Sequence, residues 1–212
     1  MPAGLRQLGR PRPFPRRRLV GDAPAVAHDL LGALVVRAEP DGSETVVRLV
    51  EVEAYRQDDP ASHTFRGETP GNATMFGEAG HLYVYFTYGM HHCANVVAGR
   101  AGEGAAVLLR AGVVLAGDAH VDARRPRARR PVERTGGPGR LAQALALDRT
   151  HDGVDLCDPT SPVRLATDGF APAAGAVVAG PRVGVRLAAD TPWRFHLAGV
   201  AEVSRYARHP RA

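Results

Sequence analysis

The run VVRLVEVEAY carries two carboxylates two residues apart, Glu51 and Glu53, with Tyr55 following at the same spacing. Alternation along an extended chain sends Val47, Leu49, Glu51, Glu53 and Tyr55 to one face and Val46, Arg48, Val50 and Val52 to the other. The two acids then stand about 7 Å apart by strand rise. Such a pair can supply a general base and a neighbour that tunes it, which is what hydrolysis of a glycosidic bond requires. Two ion-paired strand residues would show the same pattern. Tyr55 adds an aromatic surface beside the second acid. His63 follows in a stretch rich in Pro, Gly, Ser and Asn, where a lone histidine is as a rule a surface residue. Tyr83 and Tyr85 share one face of YVYFTYG, and core packing accounts for Tyr83. Tyr88 falls at a turn, from which an aromatic ring projects and can wedge into a base stack.

Several other chemistries are excluded. There is no GxGxxG after a strand, no GxxxxGK[ST] and no GxSxG, so dinucleotide, P-loop and serine-elbow readings fail. The chain has no lysine, which removes a lysine Schiff base. His91 and His92 are adjacent and point to opposite sides of a strand, Cys93 and Cys157 are far apart, and no CxxC or HxxxH accompanies them. No metal site, disulfide or cofactor is therefore expected, and a reduced cytoplasm fits.

Composition points to the partner. The 212 residues, 44% of them hydrophobic, suffice for one domain core, and no apolar run is long enough to cross a bilayer. The amino terminus lacks the apolar stretch of a signal peptide. All 27 basic residues are arginine, isoleucine is absent, and the only asparagines are Asn72 and Asn95. These losses share A/T-rich codons and so reflect a GC-rich, bacterial genome. Against that bias, Tyr55, Tyr83, Tyr85, Tyr88, both asparagines, Met75 and Met90 all fall between residues 55 and 95, which marks that segment for chemistry. A net charge of +5 and a pI near 9.8 favour nucleic acid as partner. Arginines cluster at 10–18 and at 124–134, where a solvated flexible segment is the competing explanation.

The elements that would position these residues form an α+β pattern. Residues 1–21 read as a flexible basic arm. Asp22 and Pro24 start a short helix ending at Gly32. ALVVRAEP and ETVVRLVEVEAY flank the hairpin turn Asp41-Gly42. A loop of almost 20 residues follows, long enough to suggest function. HLYVYFTYGMHHCANVVAG is expected to form a second, protruding β-hairpin, and AAVLLRAG a further strand. A helix near VLAGDAHVDARR, the arginine-rich loop and a helix in GRLAQALAL come next, then short strands near RVGVRL and WRFHLAG. The whole is a single mixed α/β domain with a curved, largely antiparallel sheet, spanning residues 22–206, with a tail at 207–212.

The motifs together carry a resemblance. VEVEAY at 50–55, His63, TPGN at 69–72, MF at 75–76, LYVYFTYGM at 82–90, Cys93 and Asn95 resemble the alkyladenine (3-methyladenine, methylpurine) DNA glycosylases. AVLLRA around Arg110, GPGRLAQALAL at 137–147 and RVGV from Arg182 extend the likeness from about Leu30 to Ser204. The resemblance implies a monofunctional, monomeric base-excision-repair enzyme needing no cofactor and no protein partner. Such an enzyme flips a damaged purine out of double-stranded DNA and hydrolyses its N-glycosidic bond, working on the nucleoid in the cytoplasm. It further implies that Glu53 is the general base, that Arg110 and the Val183 carbonyl hold the water, and that Tyr55, His63 and Tyr85 sandwich the base. A main-chain hydrogen bond from His63, the Tyr88 wedge, and DNA contacts from Met90 and Arg140 complete the set. Asn95 would crowd the 2-amino group of guanine. Gly71, Ala73 and Thr74 sit where the family varies, and His91 and His92 replace apolar or aromatic residues. A lyase using the amine of Pro2 is the enzymatic alternative, and a non-catalytic damage binder or a sugar-specific hydrolase the others.

Overall fold

The computed structural model describes residues 3–87 and 89–212. The Tyr88 wedge and the Pro2 amine lie outside the described residues. Helix α1 (Ala23–Leu30) buries Ala23, Val26, Ala27 and Leu30, a stripe at helical spacing, and Pro24 sits in its first turn. Gly32 ends it at φ +87°, and a Cβ there would meet the Phe170 ring at 2.6 Å. Strands β2 (Leu34–Ala38) and β3 (Glu44–Tyr55) pair antiparallel up to Ala38 and Glu44, on either side of Gly42 at φ +82°. The turn is held by Asp41, whose carboxylate accepts the Ser43 N–H at 3.0 Å.

Strands β4 (Leu82–Thr87) and β5 (His91–Val97) pair antiparallel from Leu82–Val96 to Thr87–His91. Strand β6 (Ala106–Ala116) lies between β5 and β3. With β1 (Arg12–Pro13) and β7 (Val163–Thr167) the order is β1-β7-β2-β3-β6-β5-β4. The long strand β3 shares one edge between β2 and β9 (Arg194–Leu197), and β9 carries β8 (Val177–Gly180). Every pairing among the described strands is antiparallel, so the curved, mixed α/β single domain expected from the sequence is present. Helices α2 (Asp118–Arg124), α3 (Pro131–Thr135) and α4 (Pro138–Ala144) follow β6. Helices α1 and α4 cover one face of the sheet, where Val50, Val52, Ala54, Leu82, Val84, Ala94, Val96, Val107 and Leu109 form the main core. No helix among the described residues is long and apolar enough to cross a membrane.

Four local expectations change. Strict alternation fails in β3: Leu49 and Val50 both enter the main core, because pairing with β6 is irregular between Leu49 and Val52. Val47 and Leu49 therefore face away from Glu51, Glu53 and Tyr55. RVGVRL is not a strand, since Gly184 takes φ +69° and the segment turns; β7 and β8 form instead from VRLAT and VVAG. The amino-terminal segment is no flexible arm from Leu5 onward: Leu5, Phe14 and Leu19 are buried and β1 pairs with β7. Part of the arginine run is paired within the chain: Arg124 closes on the buried Glu39, Arg134 meets Asp118 and Asp122, and Arg130 meets Glu133 at the surface.

Candidate active site

The face of the sheet opposite the main core collects the alternate residues of four neighbouring strands. Glu51, Glu53 and Tyr55 come from β3, Tyr83 and Tyr85 from β4, Cys93 and Asn95 from β5, and Leu108 and Arg110 from β6. Cross-strand pairing puts Glu53 opposite Leu108 and Leu108 opposite Asn95, which in turn lies opposite Tyr83. A cavity of about 570 Å³ opens on this face, and its other walls are Pro60, Ala61, His63 and residues 183–187. That size is within the range of small-molecule sites.

The two acids divide the work. Glu51 is fully buried and accepts from Arg110 Nε at 3.0 Å, Arg194 Nε at 2.7 Å, and the Ser204 N–H and hydroxyl at 2.7 Å each. Burial pushes its carboxyl up, but Arg110, Arg194 and the Ser204 amide outweigh burial and hold it below the usual carboxylate range. With its acceptor sites filled, Glu51 anchors Arg110. Glu53, also fully buried by its protein surroundings, lines the cavity. Its Oε1 accepts the Val183 N–H at 2.7 Å, and its Oε2 accepts the Tyr55 hydroxyl at 2.9 Å and Arg110 Nη1 at 3.4 Å. Burial and then the Glu53 charge push the Tyr55 phenol well above its ordinary value, so it stays protonated and donates. Arg110 also reaches Ser204 Oγ at 3.2 Å, and its two glutamates raise its pKa despite burial.

The aromatic wall is built from a loop and a strand. The ring centroids of His63 and Tyr85 are 4.5 Å apart at 73°, and Tyr83 stacks on Tyr85 at 5.7 Å and 27°. A flat group can thus lie parallel to one ring while meeting the edge of the other. His63 Nδ1 is 3.1 Å from the Tyr83 hydroxyl, whose pKa is pushed up to about 12 by burial and by Asp152. Partial burial lowers the pKa of His63, favouring neutral imidazole. The loop is pinned by Asn72, which donates to the carbonyls of His63 at 2.9 Å and Gly67 at 3.1 Å and accepts the Thr69 N–H at 2.6 Å. Asn95 is buried and donates to the Tyr83 carbonyl at 3.1 Å.

Glu53, Arg110, Val183, Tyr55, His63, Tyr85 and Asn95 are thus brought to one cavity. Met90 and Arg140 are exposed and do not line it; Arg140 donates to the Val132 and Gly136 carbonyls at 3.2 and 3.3 Å. Sequence spacing gave no sign of Arg194 and Ser204, which lie far along the chain from Glu51, nor of Asp59 beside Arg182. Tyr83, attributed above to core packing, is buried yet also lines the cavity and holds His63.

The model of the methylpurine-DNA glycosylase family matches residues 18–201. A Rhodococcus jostii protein provisionally named 3-methyladenine DNA glycosylase is 51% identical over 175 residues, covering 78% of this chain and 75% of its own length. A Nocardia farcinica protein of the same name is 48% identical over 200 residues, 92% of each chain. One from Streptomyces avermitilis is 46% identical over 186 residues, 87% of each. A family match across most of the chain, joined to a buried glutamate and an aromatic wall in one cavity, identifies the chain as a member of the methylpurine-DNA glycosylase family.

Proposed function

We propose that the chain is a monofunctional DNA-3-methyladenine glycosylase that flips alkylated or deaminated purines out of duplex DNA and hydrolyses their N-glycosidic bond, leaving an abasic site. The observation that carries this reading is Glu53, fixed at the cavity wall by Val183 N–H, the Tyr55 hydroxyl and Arg110, opposite the His63–Tyr85 wall. In this reading the flipped base enters between Tyr55 and the His63–Tyr85 pair, because a stacked base is out of reach of any side chain. Glu53 accepts a proton from water as oxygen attacks the anomeric carbon, while Arg110 and the Val183 carbonyl orient that water. His63 offers its main-chain N–H to the base, its carbonyl being taken by Asn72. Tyr88 fills the gap in the duplex, with Met90 and Arg140 along the DNA. All the side chains named for the chemistry come from one chain, which supports action on DNA as a monomer.

The test is Glu53→Gln. The amide keeps the shape but cannot take the proton, so excision falls on the order of 10² to 10⁴ fold while duplex binding survives. Normal release of hypoxanthine by this variant would remove Glu53 from the chemistry. Borohydride treatment during wild-type turnover is expected to trap no protein–DNA adduct, whereas a lyase using the Pro2 amine would leave one.

A further inference from the structure

Behind the Glu53 wall lies a buried ion pair with no part in the chemistry above. Arg182 is 1% exposed and Asp59 is 3% exposed; both Arg182 Nη atoms bond the Asp59 carboxylate, Nη2 at 3.0 Å. The same guanidinium donates to the Ala54 carbonyl at 3.1 Å, and Ala54 is the residue between Glu53 and Tyr55. It lies over the Tyr55 ring at 4.7 Å and over the Trp193 ring at 5.4 Å. The next residue, Val183, supplies the N–H received by Glu53 Oε1. One side chain thus touches the backbone beside the base, the ring that donates to it, and, through its own main chain, the second donor. Asp59 belongs to the loop that carries His63, so the pair also joins the aromatic wall to the acid wall. The arrangement leaves Arg182 Nε buried without a partner.

We infer that Arg182, held by Asp59, is the positioning residue of the Glu53 centre, setting the Tyr55 hydroxyl and the Val183 N–H at their distances from the carboxylate. This rests on the proposed function, in which Glu53 activates water. Removing Arg182 alone would strand the Asp59 charge and confuse misplacement with unfolding. The informative variant is Arg182→Met combined with Asp59→Asn, which leaves neither charge unpaired.

The assay is single-turnover excision at saturating enzyme on a duplex with one hypoxanthine, run beside a thermal melt and binding to an abasic-analogue duplex. Glu53→Gln serves as control: an active wild type and an inert control uphold the proposed function independently of Arg182. The double variant is expected to melt near the wild type and bind within about twofold, while its single-turnover rate constant falls about 10 to 100 fold, the scale of an ångström-level misplacement. Emission of Trp193, the sole tryptophan, should also change, because its ring loses the guanidinium. Should the double variant not fold, Arg182→Lys, which keeps the charge opposite Asp59 but loses the fork that also reaches the Ala54 carbonyl, is expected to lower the single-turnover rate constant about threefold or more. A wild-type rate constant in either folded variant overturns the inference and reduces the pair to a structural one.

Discussion

Two glutamates two residues apart, on one strand face, receive opposite assignments from their neighbours. Glu51 is saturated by two arginines and Ser204, and Glu53 holds three donors but stands at the cavity. Glu51→Gln is therefore expected to cost about 3 kcal/mol or more of stability, since Arg110 and Arg194 lose their buried partner, and to lower excision with it. Glu53→Gln should lose excision without a comparable loss of melting temperature, and melts of the two variants side by side check this. Asn95 belongs to the same scale. Its Nδ2 is tied to the Tyr83 carbonyl, so the amide is fixed in the cavity wall and can discriminate by obstruction. In the proposed function a cationic N3- or N7-alkylpurine, already a good leaving group, needs little more than stacking, whereas a neutral purine depends on placement. Asn95→Ala is expected to raise release of normal guanine from undamaged duplex several-fold. Unchanged guanine release would make Asn95 a strand residue only.

At the scale of elements, the proposed function has the β4–β5 unit connect the cavity to the DNA. Tyr85 lines the cavity near one end of β4, while Phe86 and Met90 are 53% and 68% exposed and Gly89 takes φ +65°. Apolar side chains kept in water beside the cavity are what a duplex-inserting element needs. In the proposed function Tyr88→Ser removes the stacking wedge and should weaken binding to a damaged duplex by about 1–3 kcal/mol. Its melting temperature should stay within about 2 °C of wild type. A large drop in melting temperature would show that Tyr88 belongs to the core. Strand β3 is the other decisive element. The irregularity between Leu49 and Val52 lets the strand pass from one parity to the other, so that Arg48 reaches Asp168 on the same side that later carries Glu51 and Glu53.

At the scale of the whole molecule, Arg48 and Asp168 fasten the amino-terminal segment to the sheet. Arg48 is fully buried and donates to the Leu5, Gln7 and Gly32 carbonyls and to both Asp168 oxygens, over the Phe170 ring at 4.4 Å. Burial raises the Asp168 pKa, but Arg48 and the Gly9 and Phe170 amides bring it down to about 2 from an ordinary 3.8. A folded pKa below the unfolded one means that the unfolded chain binds more protons as pH falls. The contribution of Asp168, on the order of 2 kcal/mol, is present above about pH 4 and is lost as pH falls toward 2. Asp168→Asn should lower stability at pH 7 and flatten its decline between pH 4 and 2, as read by urea unfolding across that range. A variant with an unchanged acid limb would mean that another carboxylate governs it.

The sequence by itself determined the parity of the site residues and the class of elements that carry them. Period-two spacing in VEVEAY, LYVYFT and HHCANVV sends Glu53, Tyr85 and Asn95 away from the apolar residues between them, and burial of those residues admits one orientation of each strand. The turns at Gly32 and Gly42 were equally legible, because their backbone conformation selects glycine. Tertiary structure alone decided which glutamate meets the cavity. Arg194, Ser204 and Val183 reach Glu51 and Glu53 across more than a hundred residues of chain, and Arg182 reaches the Ala54 carbonyl beside Glu53. No local spacing encodes such contacts, since they arise only when β9 and residues 182–187 pack against β3. The arginine clusters show the same limit. Charge and composition cannot distinguish a guanidinium waiting for phosphate from one closed on Glu39 or Asp155, and only the packing of the chain settles which it is.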